Sequence, residues 1–522
     1  MIREISRRKC LRSWLCKPEY MERTKWENRF VLLRFRKKNY MMFLKDLKRF
    51  KMERLYDKLK AYSESDFYAF HMPGHKRNKA LLGIELPYDL DITEIDGFDD
   101  LHHADGILKE EQERAARVFG AEESHFLVNG STAGILSAVM GCTHRGDKIL
   151  VARHCHKSIY HAIYMNGLVP RYVYPEFDIS MHMNGEISKE DVAKALAAEP
   201  DIKAVVIVSP NYDGVVSDVK GIAEVAHSYR IPLIVDEAHG PHFGFHPAFP
   251  GRANDLGADV VINSLHKTLP SLTQTAILHI NGKIVNRRRI KKYLDMLQSS
   301  SPSYIFMASL DACVDFLDGK CENAFELYVE RLQKFREKLK PLQHLQILRT
   351  EHYDISKVVI STANANITSP ELAERLRKEY HLEMEMTGGT YVLAMTTVAD
   401  TQEGLDRLKA ALLEIDGQLE AKTAVSGSIE ISGELPRLEQ YFTPQEAADW
   451  EEDGEAEEIP WKESEGHISL EYAYLYPPGS PVIVPGERIS REAVELLCYY
   501  ETQNLQIEGI QTEGKIKVWK HE

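Results

Sequence analysis

The chain has 522 residues, 43% hydrophobic and 28% charged, with a formal net charge of −14. That length exceeds what one hydrophobic core usually organises, so two or three packed units are expected; such ordinary usage excludes global disorder, a collagen-like repeat and a small binding module. No run approaches the roughly 18 consecutive apolar residues that a membrane-spanning helix needs.

The charge is unevenly placed. Residues 1–51 hold 17 Lys/Arg and 5 Asp/Glu, a net of +12, which leaves −26 on the rest. An acidic body argues against broad phosphate-backbone binding, so no nucleic-acid partner is expected for it. The basic leader carries Trp14, Trp26, Phe30 and Phe35. It lacks a secretory h-region and reads as an appended, poorly ordered segment with Met52 as the functional beginning, the alternative being a nucleic-acid arm. Seven scattered cysteines form no disulfide framework, which suits a reducing cytoplasm.

From Ala121 to Ile280, short apolar runs alternate with helix-like stretches in a βαβ rhythm. The strand candidates are His125 to Val128, Lys148 to Ala152, Val173 to Tyr174, Ala204 to Val208, Leu233 to Val235, Val260 to Asn263 and Thr275 to His279. Runs such as AVVIV lack polar alternation, as strands covered on both faces should. The pattern predicts a doubly wound, mostly parallel sheet with ligand groups at the carboxyl ends of its strands. The helical stretch after Ser303, the short strands up to about Leu419, and the acidic segment 439–466 followed by SLEYAYLYPPGSPVIVPGE mark two further units. The domain reading is therefore 52–320, 321–425 and 426–522, behind the leader 1–51.

Lys267, in SLHKT directly after the run ADVVIN, stands where such sheets bind ligands. A desolvated lysine there supplies the free amine for a Schiff base with an aldehyde. Asp236 ends IPLIVD; it reads either as a helix N-cap or as the partner of the protonated ring nitrogen of pyridoxal phosphate. The segment HFLVNGSTAG is a strand, a turn at Gly130, then Ser131 and Thr132 opening a helix, which suits a phosphate. His156, after KILVA, could stack on the pyridine ring. No metal site is expected, since His154, Cys155 and His156 at consecutive positions rarely point at one centre.

The segments MPGHK (72–76), TEIDGFDDLHHADG (93–106), NGST (129–132), RHCHKS (153–158), DEAHG (236–240), SLHKTLPSLTQ (264–274) and YPPGSPVIVPGE (476–487) together resemble the Orn/Lys/Arg decarboxylase family. The resemblance runs in order from about residue 68 to 510. It implies the fold type I architecture of pyridoxal-phosphate enzymes, with a mostly parallel seven-stranded sheet flanked by helices, a smaller α/β domain and a C-terminal α+β domain. It is similar to a compact member without the N-terminal wing domain, most like an arginine decarboxylase of polyamine synthesis, with lysine and ornithine as alternative substrates. By the same resemblance Lys267 is the Schiff-base lysine, Asp236 the ring-nitrogen partner, His156 the stacking ring, and Gly130, Ser131 and Thr132 the phosphate site. Ser264 and His266 sit beside the phosphate or the lysine, and Ala238 packs on the other ring face.

Members often carry Gly soon after PGHK; here Arg77-Asn78 follows, and Asn tolerates positive φ. The distal cation of the substrate needs a carboxylate, for which Glu94, Asp96, Asp99, Asp100 and Glu487 are the candidates. A homodimer or larger assembly with the site at the interface is also implied. Competing readings are an aminotransferase or carbon–sulfur lyase on the same fold, and a non-catalytic homologue, against which intact Lys267 and Asp236 argue.

Overall fold

The protein is represented by a computed structural model that describes residues 54–81, 83–179, 183–422, 434–475, 479–502 and 505–520. The leader, and with it both readings of residues 1–51, lies outside the described residues, as do positions 476–478 of the last motif.

Seven strands form one sheet: β1 (Glu123–Leu127), β2 (Lys148–Ala152), β3 (Val169–Val173), β4 (Val205–Val208), β5 (Leu233–Asp236), β6 (Val260–Asn263) and β7 (Ala276–Ile280). Their order is β1-β7-β6-β5-β4-β2-β3. β7 runs antiparallel to β1 and β6, while the four other pairings are parallel. The architecture is thus α/β with a mostly parallel sheet. β4, β5 and β6 are buried at every position, which is why their sequences show no polar alternation. Helices α1 (Gly130–Cys142) and α2 (Lys157–Met165) follow β1 and β2.

The third strand begins four residues before the predicted one. Pro170 hid it, since proline removes a ladder donor; β3 lies at the sheet edge, where that loss is tolerated. Near the beginning of the body, positive φ falls on Lys76 (50°) and Arg77 (59°) rather than on Asn78. The Arg77 guanidinium lies 4.3 Å from the centroid of the Tyr62 ring, a contact that holds the strained turn.

A second, antiparallel sheet has the order β8-β9-β11-β10, from β8 (Gln346–Leu348), β9 (Lys357–Ser361), β10 (Met386–Thr387) and β11 (Tyr391–Met395). Helices α3 (Ser369–Tyr380) and α4 (Gln402–Asp416) share its apolar core. α3 opens with a full capping box between Thr368 and Glu371. In the C-terminal region, β12 (Ala456–Pro460) pairs with β16 (Lys515–Trp519), and β13 (Ala473–Leu475) lies between β14 (Pro481–Ile483) and β15 (Ile507–Glu508). Helix α5 (Arg491–Thr502) packs over a small core containing Trp461, Ile483 and Leu497. This part is α+β.

Candidate active site

A cavity of about 490 Å³ lies at the carboxyl ends of the central strands. Its wall includes Gly130, Ser131, Thr132, His156, Asp236, Ala238, His266 and Lys267. Eight of the nine residues assigned to the cofactor thus meet in one place. The ninth, Ser264, is buried behind them and its hydroxyl donates to Ser131 Oγ at 2.8 Å.

The local folding explains the convergence. β6 ends at Asn263, and Ser264 starts a one-turn helix, Leu265–Thr268, that carries Lys267 just beyond the strand. The loop continues to Gln274, whose carbonyl accepts from Gly130 N at 3.0 Å and whose side chain donates to Val128 O at 2.6 Å. The lysine loop is thereby fastened to the turn at Gly130. Gly130 has φ of +73°, a conformation that a side chain would strain. α1 then begins without a side-chain cap bond from Asn129 and without an acid in its first turn, so its first N–H groups and the positive helix end face the cavity rim.

The electrostatics are set mainly by burial. Asp236 is buried and its carboxyl is pushed above the ordinary range by desolvation; the Lys267 charge and the Ala238 N–H, which donates to Asp236 Oδ1 at 3.1 Å, act in the opposite sense. No cation of the described residues forms an ion pair with Asp236, so a buried carboxylate waits for a positive partner. Lys267 is held below its usual range by burial, against the pull of Asp236 and Glu385. His156 falls to about 4, through burial first and the Lys267 charge second. Its ring is therefore neutral, accepting from Ser158 N at 3.2 Å as the cap of α2.

These groups fit pyridoxal phosphate. A helix start with two hydroxyls suits the phosphate dianion, and an amine stands within the electrostatic field of Asp236 across one cavity. The carboxylate that lacks a cation suits a protonated pyridine nitrogen.

The acidic residues expected to meet the substrate are placed elsewhere. Asp99 accepts from the backbone of Asp100, Asp105, Gly106 and Leu108, and Asp100 from His102 N and His103. Glu94 and Asp96 do not line the cavity, and Glu487 is fully buried against Arg153 at 2.8 Å. The structure does not bring these five together at the cavity: the loop backbone occupies Asp99, the loop backbone and His103 occupy Asp100, and Arg153 occupies Glu487.

Sequence reasoning missed other groups that the structure does bring there. Asp213, Tyr212, His154 and His239 line the same wall. His239 Nε2 lies 2.8 Å from Lys267 Nζ, and the Tyr212 ring centroid is 4.6 Å from that of His239. The signal for Asp213 was present: SPNYDG follows β4, just as DEAHG follows β5. Asp213 also faces an adjoining lobe lined by Phe177, Tyr391, Tyr499 and Tyr500.

Comparison with known proteins agrees. The chain matches the family described as Orn/Lys/Arg decarboxylase, major domain, over residues 53–421, and the C-terminal domain of the same family over 433–514. It is 34% identical to an arginine decarboxylase of Bacillus subtilis over 471 residues, 87% of this chain and 95% of that protein. Among solved structures it is similar to the lysine decarboxylase of Francisella novicida, with a TM-score of 0.76 at 20% identity over 92% of this chain and 83% of the other. It is also similar to a ureidoglycine–glyoxylate aminotransferase of Bacillus subtilis, with a TM-score of 0.52 at 14% identity over 66% and 90%. These last two likenesses concern the fold, that of fold type I pyridoxal-phosphate enzymes. With both of its domains matched in order, the chain belongs to the Orn/Lys/Arg decarboxylase family, whose members use pyridoxal phosphate.

Proposed function

We propose that this decarboxylase of a basic amino acid acts on L-arginine, releasing carbon dioxide and agmatine in the cytoplasm as a step of polyamine synthesis. The observation that carries the choice of substrate is the 34% identity to an arginine decarboxylase over 95% of that protein's length.

When bound, pyridoxal phosphate supplies an aldehyde for the substrate amine and a cationic ring that takes up the electron pair left by departing carbon dioxide. The protein's own groups do the rest. Lys267 provides the covalent anchor, and as a freed amine it holds the proton destined for the substrate α-carbon. Asp236 keeps the ring nitrogen protonated. Ser131, Thr132 and the start of α1 grip the phosphate, with Ser264 orienting the Ser131 hydroxyl. His156 and Ala238, which line the same cavity, would hold the ring between them.

For the distal guanidinium, Asp213 is the favoured partner. Apart from Asp236 it is the one carboxylate among the residues that line this cavity and the adjoining lobe. The tyrosines of that lobe offer aromatic faces to a planar cation. A homodimer or larger assembly is also proposed. Phe67, Phe70, Met72, Leu81, Ile84 and Leu86 are all exposed within one short stretch of chain, an apolar surface of the kind that a second copy covers. Sedimentation showing an active monomer would refute it.

The test of the function is carbon dioxide release from arginine, lysine and ornithine, measured side by side with added pyridoxal phosphate. Arginine should give the highest kcat/KM. A preference for lysine or ornithine would overturn the substrate, and transamination without carbon dioxide release would overturn the reaction.

A further inference from the structure

Lys357 is the buried group that the reaction as described leaves without a task. It opens β9 in the second sheet, its side chain is fully buried, and its Nζ lies 3.1 Å from His239 Nδ1. On the opposite side of the ring, His239 Nε2 is 2.8 Å from Lys267 Nζ. One imidazole thus bridges two lysine amines. The fold makes room for the arrangement: at Gly214, which has φ of +103°, a Cβ would come within 2.7 Å of Lys357 Cγ.

Hydrogen-bond parity restricts the charge states. A neutral imidazole has one N–H and one lone pair, so one flanking amine donates to it and the other accepts from it. An amine that accepts carries no charge. Only one of Lys267 and Lys357 can therefore be an ammonium while both contacts are made. Burial drives His239 well below its usual range, with the charges of Lys267 and Lys357 acting in the same direction. Lys357 falls to about 8, through burial first; Lys267 lowers it further, while Asp354, Glu385 and Asp213 work against the fall.

We propose that His239 and Lys357 form a proton relay that loads Lys267. Lys357 gives a proton from its ammonium to His239 Nδ1, and His239 passes the proton on Nε2 to the Lys267 amine. The ring stays neutral and changes tautomer, Lys357 becomes an amine and Lys267 an ammonium, with no change in electrons. Exchange of a carboxylate for hydrogen at the α-carbon consumes one proton per turnover, and the relay supplies it from a site walled off from the substrate. The exposed Glu385 carboxylate, whose charge is felt by both lysines, accepts from the Tyr212 hydroxyl. Lys357 acts through His239 and is a positioning residue. The relay rests on the reading of the site as a decarboxylase but not on which basic amino acid it takes.

The test uses the full chain. Before cofactor is added, the fraction of Lys267 acylated by acetic anhydride, read by mass spectrometry across pH, gives the midpoint of its amine. Lys357→Met removes the amine that competes with Lys267 for the one positive charge and should raise that midpoint by about one pH unit or more. If that variant is recovered unfolded, Lys357→Gln serves for the same reading. Lys357→Arg keeps the charge but cannot release a proton, so it should leave the Lys267 midpoint near that of the native chain. With cofactor bound it should lower kcat by about tenfold or more while KM for arginine stays within about twofold. A folded Met or Gln variant with an unmoved Lys267 midpoint would overturn the coupling. An Arg variant with native kcat would overturn the relay and leave Lys357 as a fixed charge. The labelling needs no substrate, so it stands or falls separately from the carbon dioxide assay.

Discussion

Arg153 and Glu487 form a fully buried ion pair at 2.8 Å that joins the end of β2 to the C-terminal region. Arg153 also donates to Val482 O at 2.9 Å and lies 4.8 Å from the Tyr172 ring centroid, while Glu487 accepts from Val484 N at 2.8 Å. Removing one partner leaves the other charge buried and unpaired. Glu487→Ala should therefore cost about 3–5 kcal/mol, against less than about 1 for a surface pair. Urea unfolding of the two chains checks this, and an unchanged midpoint would show that Arg153 finds another acceptor.

Lys267→Ala removes the covalent anchor. Turnover should be abolished with the melting temperature nearly unchanged, and borohydride should no longer fix pyridoxal phosphate to the chain. Asp236→Ala removes the anion that keeps the ring nitrogen protonated, so kcat should fall by about a hundredfold or more. Near-native kcat in the Asp236 variant would deny that carboxylate its role.

How much of this was legible beforehand depends on how local the signal is. The buried strands declared themselves as unbroken apolar runs, and Lys267, Asp236, Ser131 and Thr132 were found because each follows such a run directly. Pro170 concealed β3, because its tolerance depends on a sheet edge that the sequence does not mark. Lys357 was invisible. A lysine before VVIS reads as a solvated strand end, and only packing against Gly214, far away in the chain, shows it to be buried. The acids of TEIDGFDD looked like substrate ligands by composition, yet Asp99 is occupied with the backbone of its own loop.

Asp213 is predicted to hold the distal cation of the substrate. Burial raises its carboxyl to about 6, against the hydroxyl of Tyr391, which donates to it at 2.6 Å, and the charge of Lys357. Asp213→Asn should raise KM for arginine by about thirtyfold or more, the scale of losing one partner of a desolvated charge pair, with a smaller effect on kcat. The sign of the pH dependence follows from the same carboxyl. Protonation below about 6 removes the negative charge, so 1/KM in the native enzyme should fall as pH drops through that value. In the Asn variant this limb should be missing. An Asn variant with native KM would move the cation site elsewhere.

A last test concerns stability rather than catalysis. Glu111, Asp311 and Asp315 all contact the buried guanidinium of Arg114, three carboxyls on one cation. Burial, reinforced by the Asp311 charge, holds the Glu111 carboxyl well above its ordinary value of 4.5, with Arg114 pulling the other way. The folded chain therefore keeps a proton on Glu111 that the unfolded chain releases near 4.5. Where the native state binds more protons, stability falls as pH rises. The stabilisation is fully present below the unfolded value and is lost as pH climbs through the raised, folded one. Glu111→Gln mimics the protonated form, so it should flatten this slope and make the protein more stable than the native chain at alkaline pH. Urea midpoints of both chains across the range from about pH 5 to about pH 9 decide it. Equal slopes in the two would mean that Glu111 stays ionised and that Arg114 satisfies it together with its other carboxylates.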